Sequence, residues 1–265
     1  MSGFIAGETR NRVFAHQETI AIIRVPFMLE AFGLSDPGCV RPTNEDYFIN
    51  DAKRGIFVLA DGMGGANAGE YASHLSAEVL YDFLLSAPER DGEHTLQQAF
   101  IEANLRVREA ARSRPELEGM GTTLLVARDL GDNKLQVASV GDSRAYLYSK
   151  DGLSLVTQDQ TWVAEVGPRI GLTDEALKNH PMRHVLTMAV GSTEELRIQS
   201  RVVHLDAGDQ VMLCSDGLHG VLNENLLRDA LDSEKSLPEK CHYLIDAAKQ
   251  NGGPDNVTVV LIQLK

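Results

Sequence analysis

Positive charge is what this chain most lacks: 25 Lys and Arg against 38 Asp and Glu leave a formal net charge of -13 and a pI near 5.0. Proteins that grip nucleic acid or an anionic membrane need a broad positive field, so both classes are excluded as partners. An anionic substrate must instead be caught locally, by a few arginines or by metal ions. Cysteine is also scarce: Cys39, Cys214 and Cys241 are widely spaced and form no CxxC pair. That removes a disulfide framework and sulfur-held zinc, and fits reduced thiols in a cytoplasmic protein. No apolar run approaches the roughly 18 residues of a membrane span. The nearest N-terminal candidate, 20–29, is broken by Arg24 and Pro26 and does not read as a signal peptide. Nor is there a long polar or Pro/Ser-rich interruption or an internal repeat, so the 265 residues are expected to bury one core.

What the chain does have is a recurring pattern of apolar runs that meet an aspartate. Residues 57–60 run into Asp61-Gly62, residues 137–140 into Gly141-Asp142, and residues 211–215 into Asp216-Gly217, while Asp255-Asn256 introduces the apolar stretch 257–262. One such junction reads as a strand and a tight turn, since Asp and Gly tolerate the backbone angles of turns. Four of them imply more. Carboxylates gathered at the ends of buried strands repel each other unless a cation joins them, which points to a site for hard, oxygen-loving metal ions.

Periodicity organises the rest. Residues 1–27 read as an N-terminal extension of partial order and 28–265 as the domain. Strands are expected at 46–50, 55–60, 122–128, 134–140, 143–149, 153–157, 198–204, 210–215 and 256–264, with amphipathic helices at 69–85, 94–112, 224–231 and from Ser236 to about 250. The connections between neighbouring strands are too short for crossover helices, so antiparallel pairing in an α+β layered domain follows. Residues 158–187 read as a long functional loop with a short helix near 174–178. Asp36 and Gly38 read as a turn, Arg144 as a structural partner available to Asp142, and His74, His94, His184 and His219 as surface groups.

Six ordered blocks resemble the metal-dependent serine/threonine protein phosphatases of the PPM, or PP2C, type in their bacterial form. They are 35–38 with 41–46 (RPTNED), 60–65 (ADGMGG), 121–123 (GTT), 140–145 (VGDSRA), 214–218 (CSDGL) and 253–258 (GPDNVT). The resemblance implies a four-layer αββα sandwich, two central antiparallel sheets flanked by pairs of antiparallel helices. It implies hydrolysis of phosphoserine and phosphothreonine by a metal-activated water, without a phosphoenzyme intermediate. Two Mn²⁺ or Mg²⁺ ions would be bridged by Asp61 and helped by the Gly62 carbonyl. Asp216 and Asp255 would hold the first ion, Asp46 and, through water, Glu45 would act on the other side, and Asp142 would serve a weaker third ion. Arg41 would bind the substrate phosphate. Substrates of serine/threonine kinases are the implied partners, with a cognate kinase, and a monomer is expected.

The chain departs from the family pattern in places. Met63 stands where eukaryotic relatives often carry a histidine, and methionine cannot donate a proton to the leaving oxygen. Ala66 replaces a histidine of some bacterial relatives, and Gln158-Asp159-Gln160 replaces a frequent Asp-His pairing. These changes motivate the rival expectation of a pseudophosphatase acting as a regulatory binding module.

Overall fold

Continuous apolar strands arise where both faces of a sheet are covered, and that is how this chain uses them. The computed structural model describes residues 28–64, 68–87, 92–178 and 180–265; the extension expected over 1–27 and Ala66 lie outside them. One antiparallel sheet has the order β1 (Leu29–Asp36), β11 (Val257–Leu264), β10 (Gln210–Cys214), β7 (Arg144–Ser149), β8 (Gly152–Leu155). The other runs β2 (Asp46–Asp51), β3 (Ile56–Met63), β5 (Leu124–Gly131), β6 (Lys134–Val140), β9 (Gln199–His204), and the short β4 (Gly121–Thr122) pairs with the end of β3.

Side chains alternate across each strand, so every central strand feeds two cores. Phe57 and Leu59 of β3 pack between the sheets with Val260 and Ile262 of β11 and Leu213 of β10. Their neighbours Val58 and Ala60 face α1 (Ala68–Ser86) and α2 (Gly92–Ser113). On the far side Val257, Val259 and Leu261 face α6 (Glu224–Asp232) and α7 (Leu237–Gln250). Three cores separated by two sheets make the expected helix–sheet–sheet–helix sandwich. At the start of α7 the Glu239 carboxylate accepts from the Ser236 amide at 2.9 Å, the reciprocal cap anticipated from the sequence spacing.

Two features differ from expectation. The strand Leu29–Asp36 was not anticipated; it is an edge strand, paired on one side to β11, and it carries no fully buried residue that would mark it as apolar and continuous. Residues 158–187 are also more organised than a loop. They hold α3 (Trp162–Glu165) and α4 (Asp174–Lys178), and their two ends are zipped together. The Trp162 amide donates to the Val185 carbonyl at 2.8 Å and the Thr187 amide to the Gln160 carbonyl at 2.8 Å. Arg197 adds a two-point ion pair to Glu165, at 2.9 and 3.0 Å. The segment is therefore a flap on a closed base.

Candidate active site

The carboxylates meet at one end of the sandwich because strand alternation points them there. Asp46 and Asp61 are opposite each other in the β2–β3 register, on the inward-facing positions that Phe48 and Leu59 occupy one step along. The chain does not turn at Asp61-Gly62 as expected. Instead β3 runs on, with Gly62 opposite Thr122 and Met63 opposite Gly121 of β4. The Asp61 backbone is held on both sides: its amide donates to Thr123 Oγ1 at 3.0 Å, and its carbonyl accepts from Thr122 Oγ1 and the Thr123 amide, each at 2.9 Å. Gly62 answers a close approach, since a Cβ there would lie 2.1 Å from the Gly69 carbonyl oxygen at the start of α1. Gly217 does the same for the opposite wall, where a Cβ would lie 1.9 Å from the Asn256 carbonyl oxygen.

The other three acids arrive from strand ends. Asp142 sits in the turn between β6 and β7, Asp216 opens the short helix α5 (Asp216–His219), and Asp255 lies in the bend before β11. Together with Arg41, Glu45, Asp61 and Gly62 they line one cavity of about 540 Å³, whose wall also includes Met63, Arg183 and His184. Asp46 alone of the predicted set is not in that wall. It lies beneath, 8% exposed, and its Oδ2 accepts from Ser215 Oγ and Thr258 Oγ1 at 2.7 Å each.

Charge is poorly balanced in this pocket. Burial, reinforced by the charges of Asp216 and Asp255, pushes the Asp46 carboxyl up to about 7 against the partial relief of its two hydroxyl donors. Burial and then the charge of Asp216 push Asp142 up to about 7 as well. Asp61 is raised well above the carboxylate range by burial and by the surrounding Asp46, Asp216 and Asp142. Asp216 is held low against its own burial, chiefly by His184. The His184 Nδ1 to Asp216 Oδ2 separation of 3.7 Å is an ion-pair distance, too long for a direct hydrogen bond. At the mouth, the Arg41 guanidinium donates to Asp255 Oδ2 at 2.8 Å, which makes Arg41 at once an ion-pair partner and a pocket residue.

Two expectations are corrected here. His219 is half-buried, not a free surface group: burial pushes its imidazole down to about 4, and its neutral ring donates from Nε2 to the Asp142 carbonyl at 3.0 Å. His184, although exposed, belongs to the pocket wall. The anticipated partner of Asp142 is also engaged elsewhere. Arg144 donates from Nε and Nη2 to the two oxygens of Asp159, at 2.9 and 2.7 Å, and from Nη1 to Tyr146 Oη at 2.9 Å. The Asp142 carboxylate is thereby left to face the pocket. Arg144→Ala should lower stability by about 2–3 kcal/mol, below the cost of breaking a fully buried pair because both partners keep some solvent contact. Urea denaturation monitored by circular dichroism checks this.

The donor set fits hard divalent cations: oxygen ligands only, several of them buried without compensating charge, and a buried Asp46 Oδ1 that has no hydrogen-bond partner. The described residues do not form a preassembled cage of three or more such side chains, because the acids are turned toward Arg41, His184 and nearby hydroxyls. Stability with cations chelated should therefore depend on pH in an unusual direction. Between the ordinary carboxylate value of 3.8 and about 7, the folded protein keeps protons on Asp46 and Asp142 that the unfolded chain has released, so stability falls as pH rises; Asp61 adds to this. His219 opposes it from about 4 to 6.5, and the lowered Asp216 acts only below the carboxylate range. The carboxylates outnumber the histidine. Melting temperature in EDTA is expected to be higher near pH 5 than near pH 7.5, and added Mn²⁺ should erase the difference by stabilising the ionised acids.

These features define an oxygen-donor cavity suited to divalent cations at the end of an αββα sandwich, and comparison with known proteins agrees. The family profile "Protein phosphatase 2C" matches residues 42–257, and the chain belongs to that family. It is 36% identical over 238 residues to the serine/threonine phosphatase stp of Listeria innocua, covering 86% of this chain and 93% of that protein. The crystal structure of the Mycobacterium tuberculosis serine/threonine phosphatase PstP/Ppp superposes with a TM-score of 0.82 at 35% identity, covering 90% of this chain and 99% of that one. The catalytic domain of PstP in complex with two manganese ions matches at a TM-score of 0.80 and 34% identity, again covering 90% and 99%. The chain is a bacterial-type serine/threonine protein phosphatase. No helix among the described residues is long and apolar enough to cross a membrane.

Proposed function

We propose that the cavity is a dinuclear Mn²⁺ or Mg²⁺ centre that hydrolyses phosphoserine and phosphothreonine in proteins by direct attack of water. The carrying observation is the convergence of Asp61, Asp142, Asp216 and Asp255 on one cavity with Arg41 at its mouth. When bound, two divalent cations would lower the pKa of a shared water and offset the charge of the phosphoryl oxygens, the repulsion that makes phosphomonoesters so inert. Asp61, among the acids, would be the bridging ligand, and the Gly62 carbonyl and Glu45, through water, would serve its far side. Asp216 and Asp255 would hold the first ion. Asp142, left free by the Arg144–Asp159 pair, would serve a weaker third.

Arg41 orients the phosphate. Its planar fork engages two oxygens at once, and its present partner Asp255 is a ligand that a cation would compete for. Flap residues 158–187 border the cavity through Arg183, His184 and Leu186, and govern access of the protein substrate. Substrates are targets of a cognate serine/threonine kinase in the cytoplasm, and the enzyme acts as a monomer. The pseudophosphatase alternative draws no support from the comparisons. Release of phosphate from a phosphothreonine peptide should be absent in EDTA and restored by Mn²⁺; no turnover anywhere in Mn²⁺ and Mg²⁺ titrations would overturn the proposal.

A further inference from the structure

Beneath the cavity the two sheets are joined by a chain of side-chain hydrogen bonds that none of the roles above uses. Asp46, from β2, reaches across the inter-sheet space and accepts from Ser215 Oγ and Thr258 Oγ1 of the opposite sheet, each at 2.7 Å. Those two hydroxyls are fully buried, and they occupy telling positions. Ser215 immediately precedes Asp216, and Thr258 lies three residues after Asp255. Ser215 also binds the neighbouring strand, accepting from the Thr258 amide at 3.0 Å. Thr258 Oγ1 lies 2.7 Å from Ser35 Oγ, which accepts from Asn44 Nδ2 at 2.7 Å, two residues before Asp46. The chain of bonds thus closes on itself around the ends of β1, β2, β10 and β11.

We infer that Asp46 is a positioning residue, its Oδ2 setting the strand ends that carry Asp216 and Asp255 through Ser215 and Thr258. Three observations carry this. Its carboxylate is absent from the cavity wall that contains the other predicted acids. One of its oxygens is committed to two short hydroxyl contacts across the sheets. Its cross-strand partner is Asp61, so one residue pair links the bridging acid on one sheet to the acids of the other. A charge-assisted hydrogen bond to each hydroxyl is stronger and shorter than a neutral one, which suits it to hold two strand ends in register. Groups that orient metal ligands from behind typically change metal affinity by about 10–100-fold when removed.

The inference rests on the metal-centre reading, and the experiment separates the two. Mn²⁺ binding is measured by isothermal titration calorimetry on the wild type, Asp46→Asn, Asp46→Ala, Ser215→Ala with Thr258→Val, and all three positions combined as Asp46→Ala with Ser215→Ala and Thr258→Val. Folding of each is checked by thermal denaturation. A wild type that binds no Mn²⁺ refutes the metal centre itself. With binding present, the hydroxyl double variant is expected to lose about tenfold in Mn²⁺ affinity at an unchanged ion count, although it keeps every carboxylate. Asp46→Asn, whose amide oxygen still accepts from the hydroxyls, should retain the ion count and lose less affinity than Asp46→Ala. Removing the hydroxyls in the Asp46→Ala background should then cost little more, since the two act as one unit. A hydroxyl double variant that binds Mn²⁺ like the wild type, or one whose loss adds in full to that of Asp46→Ala, overturns the inference.

Discussion

Replacing Asp61 with asparagine is expected to lower kcat/KM on a phosphothreonine peptide by at least about 1,000-fold, equivalent to roughly 4 kcal/mol of lost transition-state stabilisation. The side chain is half-buried among the acids of the cavity, its backbone is held by Thr122 and Thr123, and the charges of Asp46, Asp142 and Asp216 all act on it. An amide preserves the shape but supplies one neutral donor oxygen where a bridge between two cations needs two anionic ones. The fold should survive. With cations chelated, Asp61→Asn is expected to be at least as stable as the wild type near pH 7.5, because it removes a carboxyl whose ionised form is disfavoured by burial and by like charge. Steady-state kinetics across Mn²⁺ concentrations, with melting curves in EDTA, check both halves. A mutant that kept substantial activity at saturating Mn²⁺ would mean that Asp61 is not the bridge.

Arg41→Ala should reduce kcat/KM by about 10–100-fold, the range expected for losing charge-assisted hydrogen bonds worth roughly 1.5–3 kcal/mol. Arg41→Lys should recover only part of that loss, because an ammonium contacts phosphate as a point charge and cannot span two oxygens. Arg41 is half exposed, with a side chain 51% accessible, so its ion pair with Asp255 contributes little to stability. That separates the two roles open to it. If Arg41 were merely a surface ion-pair partner, neither substitution would move KM for the phosphopeptide, and inorganic phosphate would inhibit all three proteins equally.

Much of this architecture was legible in the sequence because the central strands are covered on both faces. The runs at 57–60, 211–214 and 257–262 are almost wholly apolar for that reason, and the strands expected at 210–215 and 256–264 follow the structure closely. β1 escaped notice because an edge strand is only partly buried. Asp61-Gly62 reads as a turn because Asp-Gly is a strong local turn signal, but pairing with β4 and the approach of α1 override it. His219 could have been found, since it lies three residues after Asp216, the spacing that puts two side chains on one face of a helical turn. His184 could not. It comes to the cavity wall on the folded-back flap, a tertiary placement that no local pattern encodes. The Arg144–Asp159 pair joins residues 15 apart, and nothing in the short motif around Asp142 indicates that its neighbour is already committed.

Water is expected to attack phosphorus directly within the acidic cavity. A single turnover of a phosphothreonine peptide by the Mn²⁺-loaded protein in ¹⁸O-labelled water tests it most directly. The released phosphate should carry one labelled oxygen, with no phosphate retained on the protein in acid-quenched samples at any time. Phosphate trapped covalently on the chain during turnover would contradict the account.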